Sequence, residues 1–187
     1  MCDCSSCTAK RMAQKGLTHN STYMPGIYDG ESYGRILNRV VQTLEELKAT
    51  RCIDTIAFSG SSGAAMAYSA SWATDLRLLH VRKPDHDAHF FGRVEGFTRP
   101  ENYVIVDDFM SSGRTLEFIV SEVVNFADKM RIAQPILRAV ICYHAEERQD
   151  HRDFITKTLP KTKNWFFGSP MTLVDPDIAY YALNAGK

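Results

Sequence analysis

Four short apolar runs, separated by helix-length segments, constrain this chain more than any other feature. Ile53 to Phe58, Leu76 to Val81, Val104 to Val106 and Leu137 to Tyr143 are compact and largely β-branched or aliphatic. Runs of that kind fit strands buried on both faces, as in a parallel sheet. From Ser32 to Thr50, Ile36, Leu37, Val40, Val41, Leu44 and Leu47 recur on one helical face. Ala64 to Ala73 is small and apolar, as expected for a helix packed closely on a sheet. Further helices are expected from Arg114 to Met130 and over Glu146 to Lys157. This alternation predicts an α/β fold, a mostly parallel twisted sheet flanked by helices. Ligands of such sheets sit beyond the carboxyl ends of the strands. The turns that follow the strands therefore carry the functional reading.

The segment from Tyr103 to Thr115 reads Y-V-I-V-D-D-F-M-S-S-G-R-T. An apolar strand ends in two adjacent carboxylates, Asp107 and Asp108, and a small-residue turn follows before a helical pattern opens. Adjacent acids raise each other's pKa in a cleft, so the pair needs a reason. The first turn of a helix offers unpartnered N–H groups and a partial positive charge to an anion. Gly113 allows positive φ and close approach of that anion to the backbone. Ser111, Ser112 and Thr115 add hydroxyl donors, and Arg114 adds charge. Acids on one side of the turn and donors on the other suit a ligand with both a polyol and a phosphate, such as a ribose 5-phosphate. The plain alternative is a strand, a turn and a helix cap, which accounts for one serine but not for the acids.

The chain of 187 residues is long enough for one domain with a substantial core. Lys plus Arg, at 22, balance Asp plus Glu, at 22, which gives no support for a nucleic-acid or membrane-surface partner. No apolar stretch approaches a membrane span, and no apolar signal core opens the chain, so a cytoplasmic location is expected. Five cysteines, an odd number, point to reduced thiols. Cys2, Cys4 and Cys7 are spaced C-x-C-x-x-C, which suits zinc if a fourth ligand such as His19 joins them, or else marks a polar terminal tail. Arg82 to Pro100 is long for a connection and aromatic-rich, so a hairpin or flap is expected there.

At Tyr103 to Thr115 the chain resembles the type I phosphoribosyltransferases, which carry an apolar strand, two acids, a Ser/Thr-Gly-x-Thr turn and a helix. The likeness extends more weakly from Ile53 to Tyr143. It implies that the Ser111–Thr115 loop grips the 5-phosphate of phosphoribosyl pyrophosphate (PRPP), while Asp107 and Asp108 contact the ribose hydroxyls. The turn Ser59-Gly60-Ser61-Ser62-Gly63 stands where that family binds pyrophosphate, with Gly60, Ser61 and Ser62 as contacts. Relatives often place Lys or Arg there; this chain has none. The family's orotate and adenine members carry an Arg-Lys pair where Arg82 and Lys83 stand, so these become the diphosphate clamp, with His86 and His89 beyond. Mg²⁺, held mostly through substrate and also at Asp107 and Asp108, is the implied cofactor, and a homodimer the implied assembly.

Departures bear on the base. Hypoxanthine-guanine members place an Asp three residues after the second acid, where Ser111 stands here. Orotate members use an Arg after the fourth strand, where this chain has Ala145, with Arg148 close by. Base recognition is expected from a hood built by the chain ends, with Trp165 a candidate stacking ring. The resulting division is residues 1–31 as tail and part of the hood, 32–160 as core and 161–187 as closing segment. The implied reaction transfers 5-phosphoribosyl from PRPP to a nitrogenous base. The alternative is a regulator that binds PRPP or a nucleotide without chemistry.

Overall fold

The computed structural model describes residues 27–83, 92–108 and 113–143, together with the backbone of 165–166 and 179–183. Cα packing divides the chain into two units, Met1–Ile36 and Leu37–Lys187. In the first unit, Asp29 opens helix α1 (Gly30–Arg51): its carboxylate accepts the Ser32 N–H at 2.9 Å and its carbonyl accepts the Tyr33 N–H. An aspartate at this position satisfies a donor that the helix leaves orphaned. The fully exposed Asp29 carboxyl is held below its ordinary pKa by those Ser32 bonds.

The second unit holds a seven-stranded sheet. In chain order its elements are β1 (Thr55–Phe58), α2 (Gly60–Thr74), β2 (Arg77–Val81), β3 (Val94–Gly96), β4 (Asn102–Asp107), α3 (Arg114–Met130), β5 (Ile136–Cys142), β6 (Trp165–Phe166) and β7 (Ala179–Leu183). The strand order is β3-β2-β1-β4-β5-β7-β6. β2, β1, β4 and β5 run parallel, so the expected parallel sheet is its centre. β3, β7 and β6 pair antiparallel at the margins. The long segment after β2 thus returns as an edge strand, as in the hairpin reading, and the closing segment contributes β6 and β7 beyond β5.

Alternation along the strands sends side chains to two covered faces. Ala57, Leu79, Tyr103, Ile105, Val140 and Cys142 pack with Leu116, Ile119 and Val123 of α3 in one cluster. Phe58 and Val106 meet α2 on the other face, where Gly63 is forced to be small: a β-carbon there would lie 3.0 Å from Phe58 Cβ and 3.2 Å from the Val106 carbonyl oxygen. Val104, Ile105 and Val106 are essentially solvent-free, each worth about 1.5–3 kcal/mol of apolar burial. α2 starts earlier than expected, at Gly60 rather than Ala64, because Ser61 and Ser62 form its first turn instead of a separate loop. No described helix is long and apolar enough to cross a membrane.

Edge strand β3 reaches β2 through Gly96, whose φ is +122°. A β-carbon there would fall 2.1 Å from the Leu78 carbonyl oxygen. Gly96→Ala is expected to lower the unfolding free energy by about 2 kcal/mol in urea titration; a loss under about 0.5 kcal/mol would contradict this seating.

Candidate functional site

The parallel register brings four strand ends to one edge. Ala57 of β1 lies beside Ile105 of β4, and Asp107 of β4 beside Cys142 of β5. β2 lies along the far side of β1 and ends at Val81. The segments that leave this edge are Ser59–Ser62, Arg82–Lys83, Asp107–Asp108 and Tyr143.

The acid pair closes β4 on that edge. Asp108 is 4% exposed, and its backbone N–H donates to Asp107 Oδ1 at 3.0 Å. Ser62 Oγ donates to the same oxygen at 3.1 Å. Burial, followed by the bond and charge of the Asp108 carboxyl, pushes the Asp107 carboxyl up to about 7. Near neutral pH Asp107 is therefore partly protonated and can donate as well as accept a hydrogen bond. Behind the pair, burial together with both carboxylates pushes the Cys142 thiol far up, so it stays neutral and serves as packing.

The Ser59–Ser62 segment enters α2 with unmet hydrogen-bonding capacity. Ser59, at the N-cap, makes no side-chain cap bond. Its hydroxyl is buried and finds no hydrogen-bond partner among the described residues. Leaving such a group unpaired costs about 1–3 kcal/mol. Gly60 has φ +67°, and a β-carbon on it would lie 3.0 Å from Lys83 Cε and 3.2 Å from Lys83 Nζ. The ammonium that the turn lacks in sequence thus arrives in space from the end of β2. An uncapped helix start, an orphaned hydroxyl and a lysine amine together make an anion-binding arrangement.

The two members of the basic pair differ in their surroundings. The Arg82 guanidinium forms an ion pair with Glu95 of β3 at 2.8 Å, whereas Lys83 is exposed and reaches Gly60. Ser61 is exposed on the first turn of α2. Gly113 is buried with φ +72° as the N-cap of α3, the positive-φ role expected of it, and Arg114 and Thr115 open that helix. Ser111, Ser112, His86, His89, Ala145, Arg148, Cys2, Cys4, Cys7 and His19 lie outside the described residues, as does the expected helix from Glu146 to Lys157. Trp165 sits on β6, its backbone in register with Leu183 of β7. No cluster of three or more potential metal-ligating side chains occurs among the described residues.

Two residues escaped the sequence reading. Sequence alone makes Ser59 only the first residue of the turn, not a contact; an N-cap serine followed by glycine was the available signal. Tyr143 stands in the sequence only as the last residue of the fourth apolar run. Its phenol in fact donates to the Ser62 carbonyl at 2.7 Å, a partner 81 positions away in sequence, and no local pattern announces that bond.

The raised Asp107 pKa has a thermodynamic consequence. Folding holds the proton more tightly than the unfolded chain does, so this group's contribution is most favourable below pH 4 and is lost as pH rises towards 7. Asp107→Asn should flatten the ligand-free protein's pH dependence between pH 4 and 7 and raise its stability at pH 8 by on the order of 2 kcal/mol. Urea midpoints across that range provide the measurement, and an unchanged slope would contradict the assignment.

No protein-family model and no curated protein matches the sequence. By structure, 78 chains match. The adenine phosphoribosyltransferase of Leishmania donovani superposes with a TM-score of 0.54 at 12% identity, covering 74% of this chain and 63% of that one. The orotate phosphoribosyltransferase of Aeropyrum pernix gives a TM-score of 0.46 at 14% identity, covering 70% of this chain and 76% of that one. The purine phosphoribosyltransferase of Pyrococcus horikoshii gives 0.42 at 21% identity, over 61% and 73%. Identities this low speak to architecture alone. Strand order, paired acids at the end of β4 and the Leishmania donovani superposition agree: this chain has the type I phosphoribosyltransferase fold.

Proposed function

We propose that this protein transfers a 5-phosphoribosyl group from PRPP to a ring nitrogen of a base, with release of pyrophosphate. The observation that carries the reading is the anion arrangement at α2, set beside the buried acid pair and linked to it through Ser62 and Asp107. Asp107 and Asp108 take the ribose hydroxyls, and the Ser111–Thr115 loop takes the 5-phosphate. Gly60, Ser61, Ser62 and the Ser59 hydroxyl receive the diphosphate, with Lys83 as its counter-charge.

No protein nucleophile is needed when a base attacks the anomeric carbon through an oxocarbenium-like transition state. Catalysis then comes from positioning and from stabilising charge on the leaving group. Lys83 supplies that charge directly. Arg82 contributes through its hold on Glu95, which keeps the end of β2 against β3. Two carboxylates with no third ligating side chain among the described residues fit Mg²⁺, which takes oxygen ligands and retains water and substrate oxygens. When bound, the ion neutralises the leaving diphosphate. Trp165 is the proposed stacking partner of the base.

The other reading, a regulator that binds PRPP without turnover, is favoured by the absence of Lys or Arg between Ser59 and Gly63. Incubation with PRPP, Mg²⁺ and a panel of bases, followed by pyrophosphate release, separates the two. Turnover is expected with at least one base, and Lys83→Ala should lower kcat/KM by about 100-fold. PRPP binding in calorimetry with no turnover on any base would give the regulator instead, and no PRPP binding at all would remove both.

The proposed assembly is a homodimer that uses the outer face of α2. Trp72 is 89% exposed and Tyr68 58% exposed, one turn apart on a helix with no charged residue. A neutral chain brings no net repulsion to such self-association. Light scattering is expected to give a dimer for the wild type and a monomer for Trp72→Glu; a monomeric wild type rejects this face.

A further inference from the structure

We propose that Tyr143 is a positioning residue for the diphosphate half of the site, an inference that rests on reading the α2 turn as that half. Tyr143 follows β5 directly and is 1% exposed. Its phenol donates to the Ser62 carbonyl at 2.7 Å, and its backbone N–H donates to the Asp107 carbonyl at 3.1 Å. Ser62 Oγ in turn donates to Asp107 Oδ1 at 3.1 Å. Three chain segments are thereby closed into one loop of hydrogen bonds: the start of α2, the end of β4 and the residue after β5.

The physical need for this tie lies in how α2 begins. No side chain caps the helix, Gly60 enters it at φ +67°, and the Ser59 hydroxyl is left without a partner among the described residues. A helix start held so weakly from within frays readily, and its N–H groups then point in no fixed direction. The Tyr143 phenol holds it from outside. It grips a carbonyl in the first turn and leaves the N–H donors free for an anion. Because Tyr143 is also bonded to the backbone of Asp107, the donors are fixed relative to the acids that hold the ribose. A preorganised donor set binds diphosphate without an ordering cost at the moment of binding.

Tyr143→Phe tests this, because it keeps the buried ring and the backbone bond and removes only the hydroxyl. The probes are magnesium pyrophosphate and ribose 5-phosphate, each titrated by calorimetry into the full chain. Pyrophosphate affinity is expected to fall about fivefold, the value of one ordinary hydrogen bond, with ribose 5-phosphate affinity unchanged within about twofold. An equal loss for both probes would mean a general structural role and overturn the proposal, as would unchanged pyrophosphate affinity. Wild type that binds both probes, with a variant indistinguishable from it, overturns this inference alone. Wild type that binds neither overturns the functional reading along with it. Amide exchange on ligand-free wild type gives a check independent of the variant. The N–H groups of Ala64, Ala65 and Met66 should be protected like the helix centre, and rapid exchange there refutes the tie.

Discussion

Two carboxylates side by side at the end of a buried central strand repel each other, and much of the edge around them is arranged to tolerate that. Asp108 is shielded almost completely, and Asp107 answers by holding its proton well above the ordinary carboxylate range. Ser62 Oγ and the Asp108 N–H both converge on one Asp107 oxygen. In water such a pair would simply ionise twice. Here the low dielectric of the sheet edge raises the pKa of the Asp107 carboxyl, so that it can donate a hydrogen bond as well as accept one. On the proposed function, the diphosphate would be received not at these acids but at the helix start next door.

That separation of labour follows from the parallel sheet. Parallel strands place every carboxyl end, and every turn after it, on one edge. Acids at the end of β4 and donors after β1 become neighbours although 45 residues separate Ser62 from Asp107 in sequence. Gly63 lets α2 approach the sheet closely enough for the Ser62 hydroxyl to reach the acid. Gly60 leaves room for the Lys83 side chain over the same turn. Larger residues at either position would push the helix or the lysine away.

The site is locally costly. A serine hydroxyl with no partner among the described residues, a helix without a side-chain cap and a protonated buried acid each lower the stability of the ligand-free chain. Functional sites are where such violations concentrate, because a ligand can satisfy what the fold leaves open. The core compensates: Val104, Ile105 and Val106 are buried on a strand that is paired on both sides.

The sequence alone determined the four strands of the parallel centre, because short β-branched and aliphatic runs set between helix-length segments suit such a sheet, and it marked the acid–turn–helix motif, because those residues are contiguous from Asp107 to Thr115. It also marked Arg82 and Lys83 as a pair, but not that Arg82 would be engaged by Glu95 while Lys83 reached Gly60. Nor did it reveal that the serine turn would be absorbed into the first turn of α2, since helix starts depend on packing as much as on propensity. The Asp107–Ser62–Tyr143 network was legible only in three dimensions. Its members come from three strand ends far apart along the chain, and it is the sheet register, a tertiary property, that brings them within hydrogen-bonding distance.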